Sequence, residues 1–205
     1  TFQSLKGLIP PEHREFEDVW SIFIRGDEVF FRASNKLYHL YHDKFHVYTD
    51  LNLGFLGLAN DQLFLHDKSK GLFLYENRKV RKISGSDVFQ QKLIMGLIAL
   101  DSTRFLIATN KHGLFEWNGK EVKAWKSNAD KFLKENQVHS IENILGGGIA
   151  VGTSLAGVLL IDSSGRALHH LDRKAGLLDN RVLDLFTDRD QNLWLGLDKG
   201  INYIV

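Results

Sequence analysis

A short apolar strand entered through a turn recurs along the whole chain. It follows Gly71 (KGLFLYE), Gly113 (HGLFEWN), Gly157 (AGVLLID) and Gly200 (KGINYIV), and Lys36 (NKLYHLY) holds the same place without the glycine. The spacings are 35, 42, 44 and 43 residues. Two more marks keep step with it. A strand-like run precedes each turn at Val29 to Arg32, Leu63 to His66, Phe105 to Thr109, Ile149 to Thr153 and Leu193 to Leu197. Another lies one turn earlier, at Val19 to Ile24, Phe55 to Ala59, Met95 to Leu100, Ser140 to Leu145 and Leu183 to Phe186. Short strands joined by tight turns form meanders. A period of about 40 to 45 residues built from them is the signature of a β-propeller, one four-stranded blade per repeat. The chain therefore reads as all-β, a propeller of about five repeats.

The repeats fall at residues 19–51, 52–89, 90–137, 138–181 and 182–205. Thr1 to Leu8 lays over the strand that leads into Gly176, so it reads as the outer strand that the last repeat lacks. Pairing of the two ends would close a five-bladed ring; the alternative is a stretch of a larger propeller. An insertion follows the third outer strand, Val122 to Trp125. Within it Ala129 to Leu133 suits one helical turn, on a loop of the kind that often lies on a binding face. Gly146, Gly147 and Gly148 read as a hairpin turn, because no Lys-Ser/Thr tail follows to make a phosphate loop.

Lys and Arg number 26 against 25 Asp and Glu, so no long-range field argues for nucleic acid or an anionic membrane. There are no cysteines, which excludes disulfides and thiolate sites. No apolar run approaches the ~18 residues needed to cross a bilayer, so this segment is expected to make no membrane contact.

The last repeat, with Asp188, Asn192, Leu193, Trp194, Gly196, Gly200, Ile201 and Tyr203, resembles the two-component regulator propeller repeat. That family's pattern is an aspartate, Gly-Asn-aliphatic-Trp-aliphatic-Gly-Thr, then Gly-Leu. Gln191 stands in place of its glycine and Leu197 in place of its threonine. Earlier repeats keep Gly152 and Thr153, or Thr109, Gly113 and Leu114. The resemblance implies the periplasmic or extracellular sensor region of a membrane-anchored bacterial receptor, a hybrid two-component histidine kinase or a related regulator. It further implies a glycan or other small polar signal and a homodimer in the parent receptor, with no cofactor and no catalysis in this segment. Trp194 alternates with its neighbours inside a strand and is expected to pack between blades.

Enzymatic constellations are sparse. His39 and His42, and likewise His169 and His170, sit on opposite faces of a strand, so no shared metal site is expected. Asp188 and Asp190 read as turn formers rather than a calcium loop. The turns between second and third strands share an end of the propeller with the linkers between blades, and they carry Lys36, Lys70, Lys111, His112 and Lys199. These five are the candidate ligand-binding residues, suited to an acidic sugar or sulfate. Two other readings stay open: a small glycan-cleaving propeller, which needs facing carboxylates near the channel, and a scaffold that only binds proteins.

Overall fold

The computed structural model describes residues 4–205. They form two compact units that divide after Gln91. The first holds two four-stranded antiparallel sheets in chain order. One is β1 (Val19–Arg25), β2 (Glu28–Ala33), β3 (Leu37–Tyr41) and β4 (Lys44–Tyr48). The other is β5 (Leu53–Ala59), β6 (Gln62–Asp67), β7 (Gly71–Glu76) and β8 (Lys79–Lys82). The second unit has three sheets: β9 (Ile94–Ala99), β10 (Phe105–Thr109), β11 (Gly113–Trp117) and β12 (Val122–Ala124); β13 (Val138–Ile144), β14 (Gly148–Thr153), β15 (Val158–Ile161) and β16 (Ala167–Leu171); and β17 (Val182–Thr187), β18 (Leu193–Leu197) and β19 (Gly200–Ile204).

The last sheet has three strands among the described residues. The expected outer strand at Thr1 to Leu8 is corrected accordingly. Lys6–Leu8 is a turn of 3-10 helix closed by its own backbone, with Leu8 N–H donating to Leu5 O at 3.0 Å; Thr1 to Gln3 lie outside the described residues. The segment instead straps the first sheet. Ile9 packs with Ala33 and Tyr38, the Tyr38 hydroxyl donates to His13 O at 2.8 Å, and Phe16 lies 5.2 Å from the Tyr38 ring.

Each first strand carries a one-residue bulge near its start, at Trp20, Gly54, Met95, His139 and Leu183. A bulge re-aims the residues beyond it. The faces that result pack the sheets within each unit against one another. Phe30 and Leu37 thus meet Leu53, Leu56, Leu63, Leu65 and Tyr75 in the first unit. In the second, Leu106 and Leu114 meet Ile141, Val151 and Leu159, while Ala150 and Val158 meet Val182, Leu185 and Leu195.

The turn glycines are forced. At Gly71 φ is +102°, and an added Cβ would lie 2.6 Å from Ser86 O. At Gly157 φ is +74°, and a Cβ would collide with Leu171 O. The insertion forms α1 (Asp130–Asn136), longer than the single turn expected. Leu133 and the preceding Ala129 are fully buried in the core, so the insertion plugs the unit and is not a free loop.

Candidate functional site

At one end of the blades, the turns between second and third strands are stitched to the segments that enter the first strands. Lys68, Asn110, Ser154 and Asp198 each donate a backbone N–H to the carbonyl just before the first strand of the same sheet: Asn52, Leu93, Gln137 and Arg181, at 2.9 to 3.0 Å. Turns and linkers therefore share an end, as the sequence suggests. The stitching engages three of the five candidate residues. Lys36 Nζ donates to Glu15 O at 2.8 Å. Lys70 Nζ donates to Asp50 O at 3.1 Å and lies 3.7 Å from Asp67. Lys199 lies 3.8 Å from Asp179. Lys111 and His112 are exposed. Partial burial, followed by the charges of Lys92 and Lys134, lowers the His112 pKa, so this corner is locally basic.

The opposite end of the first unit holds an arrangement that no sequence motif announces. His39 on β3 is fully buried, stacked on Phe30 with centroids 4.5 Å apart and planes 8° from parallel. Its Nδ1 lies 3.0 Å from the Tyr75 hydroxyl, which meets the Tyr48 hydroxyl at 2.9 Å; Tyr48 in turn donates to Arg78 O at 3.2 Å. Glu28 Oε1 lies 3.0 Å from His39 Nε2, in ion-pair range but off the line of an aligned hydrogen bond. The other oxygen of Glu28 accepts from Arg25 Nε and Nη2 at 2.9 and 2.6 Å, and that guanidinium sits over the Phe30 and Tyr75 rings. Burial lowers the His39 pKa, against the pull of Glu28, so the ring is neutral near pH 7. Burial also raises the Tyr75 phenol, helped by Tyr48.

This network fixes the back of a cleft lined by Arg25, Asp27, Glu28, Tyr41, Asn77 and Arg78, continuing past Asp61, Gln62 and Glu76. The Arg78 guanidinium lies 4.8 Å over the Tyr41 ring, whose other neighbour is His42. Four carboxylates against two guanidiniums make the cleft rich in acceptors. It suits a ligand that donates hydroxyl hydrogen bonds better than an anion. Glu28, His39 and Tyr75 lie on three strands of two sheets, so only the repeat register could have brought them together on paper.

Trp194 takes the opposite face of β18 from the buried Leu193, Leu195 and Leu197. It is 40% exposed, and its indole N–H donates to Asp188 Oδ2 at 2.8 Å. Asp188 Oδ1 also accepts from the N–H groups of Asp190 and Asn192, each at 2.9 Å. The aspartate, asparagine and tryptophan of the repeat thus clamp one hairpin, and Asp188 is a turn former as read. No group of three or more potential metal-ligating side chains occurs among the described residues.

No protein-family model matches the chain, and no curated protein does. Solved structures do. The extracellular domain of BT4673 from B. thetaiotaomicron, assigned in one structure as a one component system and in another as a hybrid two component system, matches at 20% and 19% identity. Both matches cover 96% of this chain and 28% of that one, with TM-scores of 0.74 and 0.73. The extracellular domain of BT3049, assigned as a hybrid two component system from the same organism, matches at 16% identity over 91% of this chain and 26% of that one, TM-score 0.76. The WD40 β-propeller domain of Doa1 matches at 13% identity over 91% of this chain and 63% of that one, TM-score 0.70. The likeness shows the fold: the five sheets are propeller blades. The chain spans about a quarter of the length of the two sensor ectodomains.

Proposed function

We propose that this chain is a ligand-sensing segment of a bacterial signalling receptor, facing the periplasm or the exterior, and that it binds rather than transforms its signal. The observation that supports this most is the match of 96% of the chain to the BT4673 extracellular domain. A fold alone does not fix a function; the acceptor-rich cleft of the first unit supplies the chemistry, and an uncharged, hydroxyl-rich glycan is the signal it suits. Among the described residues no helix is long and apolar enough to cross a membrane; a homodimer of the parent receptor is part of the same reading.

Binding is tested by calorimetry against neutral and acidic oligosaccharides. The expected result is a neutral ligand whose binding is lost in Tyr41→Ala and Arg78→Ala and kept in Lys111→Ala with His112→Ala. An acidic ligand lost only in the latter pair would move the site to the basic corner, where the Lys92 and Lys134 charges that lower the His112 pKa favour an anion. The enzyme reading has one specific pair to rest on. Burial, and the nearby Asp184, raise the pKa of Glu142, whose Oε1 accepts the Thr187 N–H at 3.3 Å. Glycan cleavage lost in Glu142→Gln would favour catalysis; no turnover is expected.

A further inference from the structure

Two cations of the first unit converge on one backbone residue, with no carboxylate to balance them. Register shows how unusual their place is. One step past each first-strand bulge, the second strands of the second unit carry a small residue: Ala108 opposite Gly96, Gly152 opposite Ser140 and Gly196 opposite Asp184. Space is short there, since a Cβ on Gly152 would lie 2.5 Å from Ser140 Oγ. The first unit puts Arg32 and His66 at the same place, opposite Ser21 and Phe55.

Arg32 reaches from its own sheet to the next. Its Nη1 donates to Gly54 O at 3.0 Å and its Nε to Ser21 Oγ at 3.2 Å. Both acceptors are neutral, and among the described residues no carboxylate lies within ion-pair distance of this half-buried guanidinium. Lys68 comes to the same residue. Gly54 is the bulge of β5, and its missing side chain leaves the room that Lys68 uses. A Cβ there would lie 3.0 Å from Lys68 Cγ, 3.2 Å from Lys68 Cε and 2.8 Å from His66 Nδ1. The Lys68 ammonium likewise has no ion pair among the described residues. The adjacent Asp67 is taken: Oδ1 accepts the Ser69 N–H and hydroxyl and the Lys70 N–H, and Oδ2 accepts the Asn52 N–H. His66 adds no negative charge. Its Nε2 faces Phe89 O at 3.1 Å and so carries the proton, which leaves Nδ1 buried and unpartnered against Gly54.

We propose that Arg32 and Lys68, gathered at the Gly54 bulge, bind an oxyanion, the carboxylate or sulfate of an acidic small ligand. The outer N–H groups of Arg32 Nη1 and Nη2 are unspent, and together they form an end-on fork for two oxygens of such a group. Lys68 adds a second charge that can swing to a third oxygen. A half-buried cation with no counter-charge is costly, and a bound oxyanion offsets that cost. This place lies at the stitched end of the blades and the Glu28–Tyr75 cleft at the opposite end, so either reading can fail without the other.

The test titrates the protein with glucuronate, with inorganic sulfate and with glucose at low ionic strength, followed by calorimetry and by the Gly54 amide resonance. At least one of the two anions is expected to bind and to shift Gly54, whereas glucose does not. Glucuronate alone would make the group a carboxylate, and sulfate alone a sulfate. Affinity should fall at least tenfold in Arg32→Gln and severalfold in Lys68→Ala, and hold in Lys79→Ala. Failure of both anions to bind would overturn the proposal. So would binding that survives in Lys68→Ala and is lost in Lys111→Ala, which places the anion at the basic corner. Should Arg32→Gln not fold, Lys68→Met decides the matter, and unchanged affinity in that variant sinks the proposal.

Discussion

The two units build one repeat with different joinery. In the first, three hairpins turn on two residues that both have positive φ and are not glycine: His42 and Asp43, Asn60 and Asp61, Asn77 and Arg78. Such type I′ turns match the twist of the strands but strain a side chain. In the second unit the tight hairpin uses Gly146 and Gly147, and longer turns are clamped by an aspartate. Asp101 accepts the Thr103 and Arg104 N–H groups, Asp162 those of Ser164 and Arg166, and the arginine side chain closes each turn. The cores differ in the same sense. Polar aromatic groups around His39 tie the first unit together, whereas the sheets of the second meet largely through aliphatic side chains. A propeller repeat thus fixes where strands and turn glycines fall, and leaves open how each joint is held.

The largest break in that comparison is Phe30→Ala. It removes a fully buried ring that carries His39 on its face, and should cost about 3–5 kcal/mol. Exchange would then rise across β1–β8 ahead of β9–β19. Tyr75→Phe is next. Deleting one hydroxyl strands His39 Nδ1 and should cost about 1–3 kcal/mol, measured by denaturant titration.

Acid separates the units without mutation. Burial lowers His39 and His66 below the ordinary value of 6.5, so the unfolded chain takes up protons first as pH falls. Stability of the first unit is complete above about pH 6.5 and declines below it until the folded histidines protonate. His112 and His139 are lowered too, but lie more open to water and contribute less. The turn aspartates of the second unit are held below 3.8 by the N–H groups and side chains they accept from, Asp162 at about 2, so their contribution persists above that range and is lost as pH falls through it. Exchange followed from pH 7 to 5.5 should therefore loosen the first unit while the second holds. The smallest expected effect is a gain. Gln191, at φ +67°, stands where the resembling repeat has glycine, and Gln191→Gly should stabilise by about 1 kcal/mol, read as a higher melting temperature.

Strands and turn glycines were legible because each repeat restates them at one spacing. The third strands begin at or beside the glycines read from that spacing, and the role of Gln191 follows from a place in the pattern that wants positive φ. The I′ turns were hidden, since His-Asp, Asn-Asp and Asn-Arg lack the glycine that marks such turns. The cleft was hidden for a different reason: Glu28, His39 and Tyr75 come from two repeats and conform to neither. The exposure of Trp194 was not legible, because alternation along a strand says which face a side chain takes, but not whether another sheet lies on that face.

The bulge shared by every first strand has a consequence for how such a chain can change. Its extra residue has no partner across the ladder, so its identity is released from the pairing that constrains its neighbours. Tryptophan, glycine, methionine, histidine and leucine fill the five slots. These slots are where divergence can alter the inner rim of the blades while the packing behind it stays as it is.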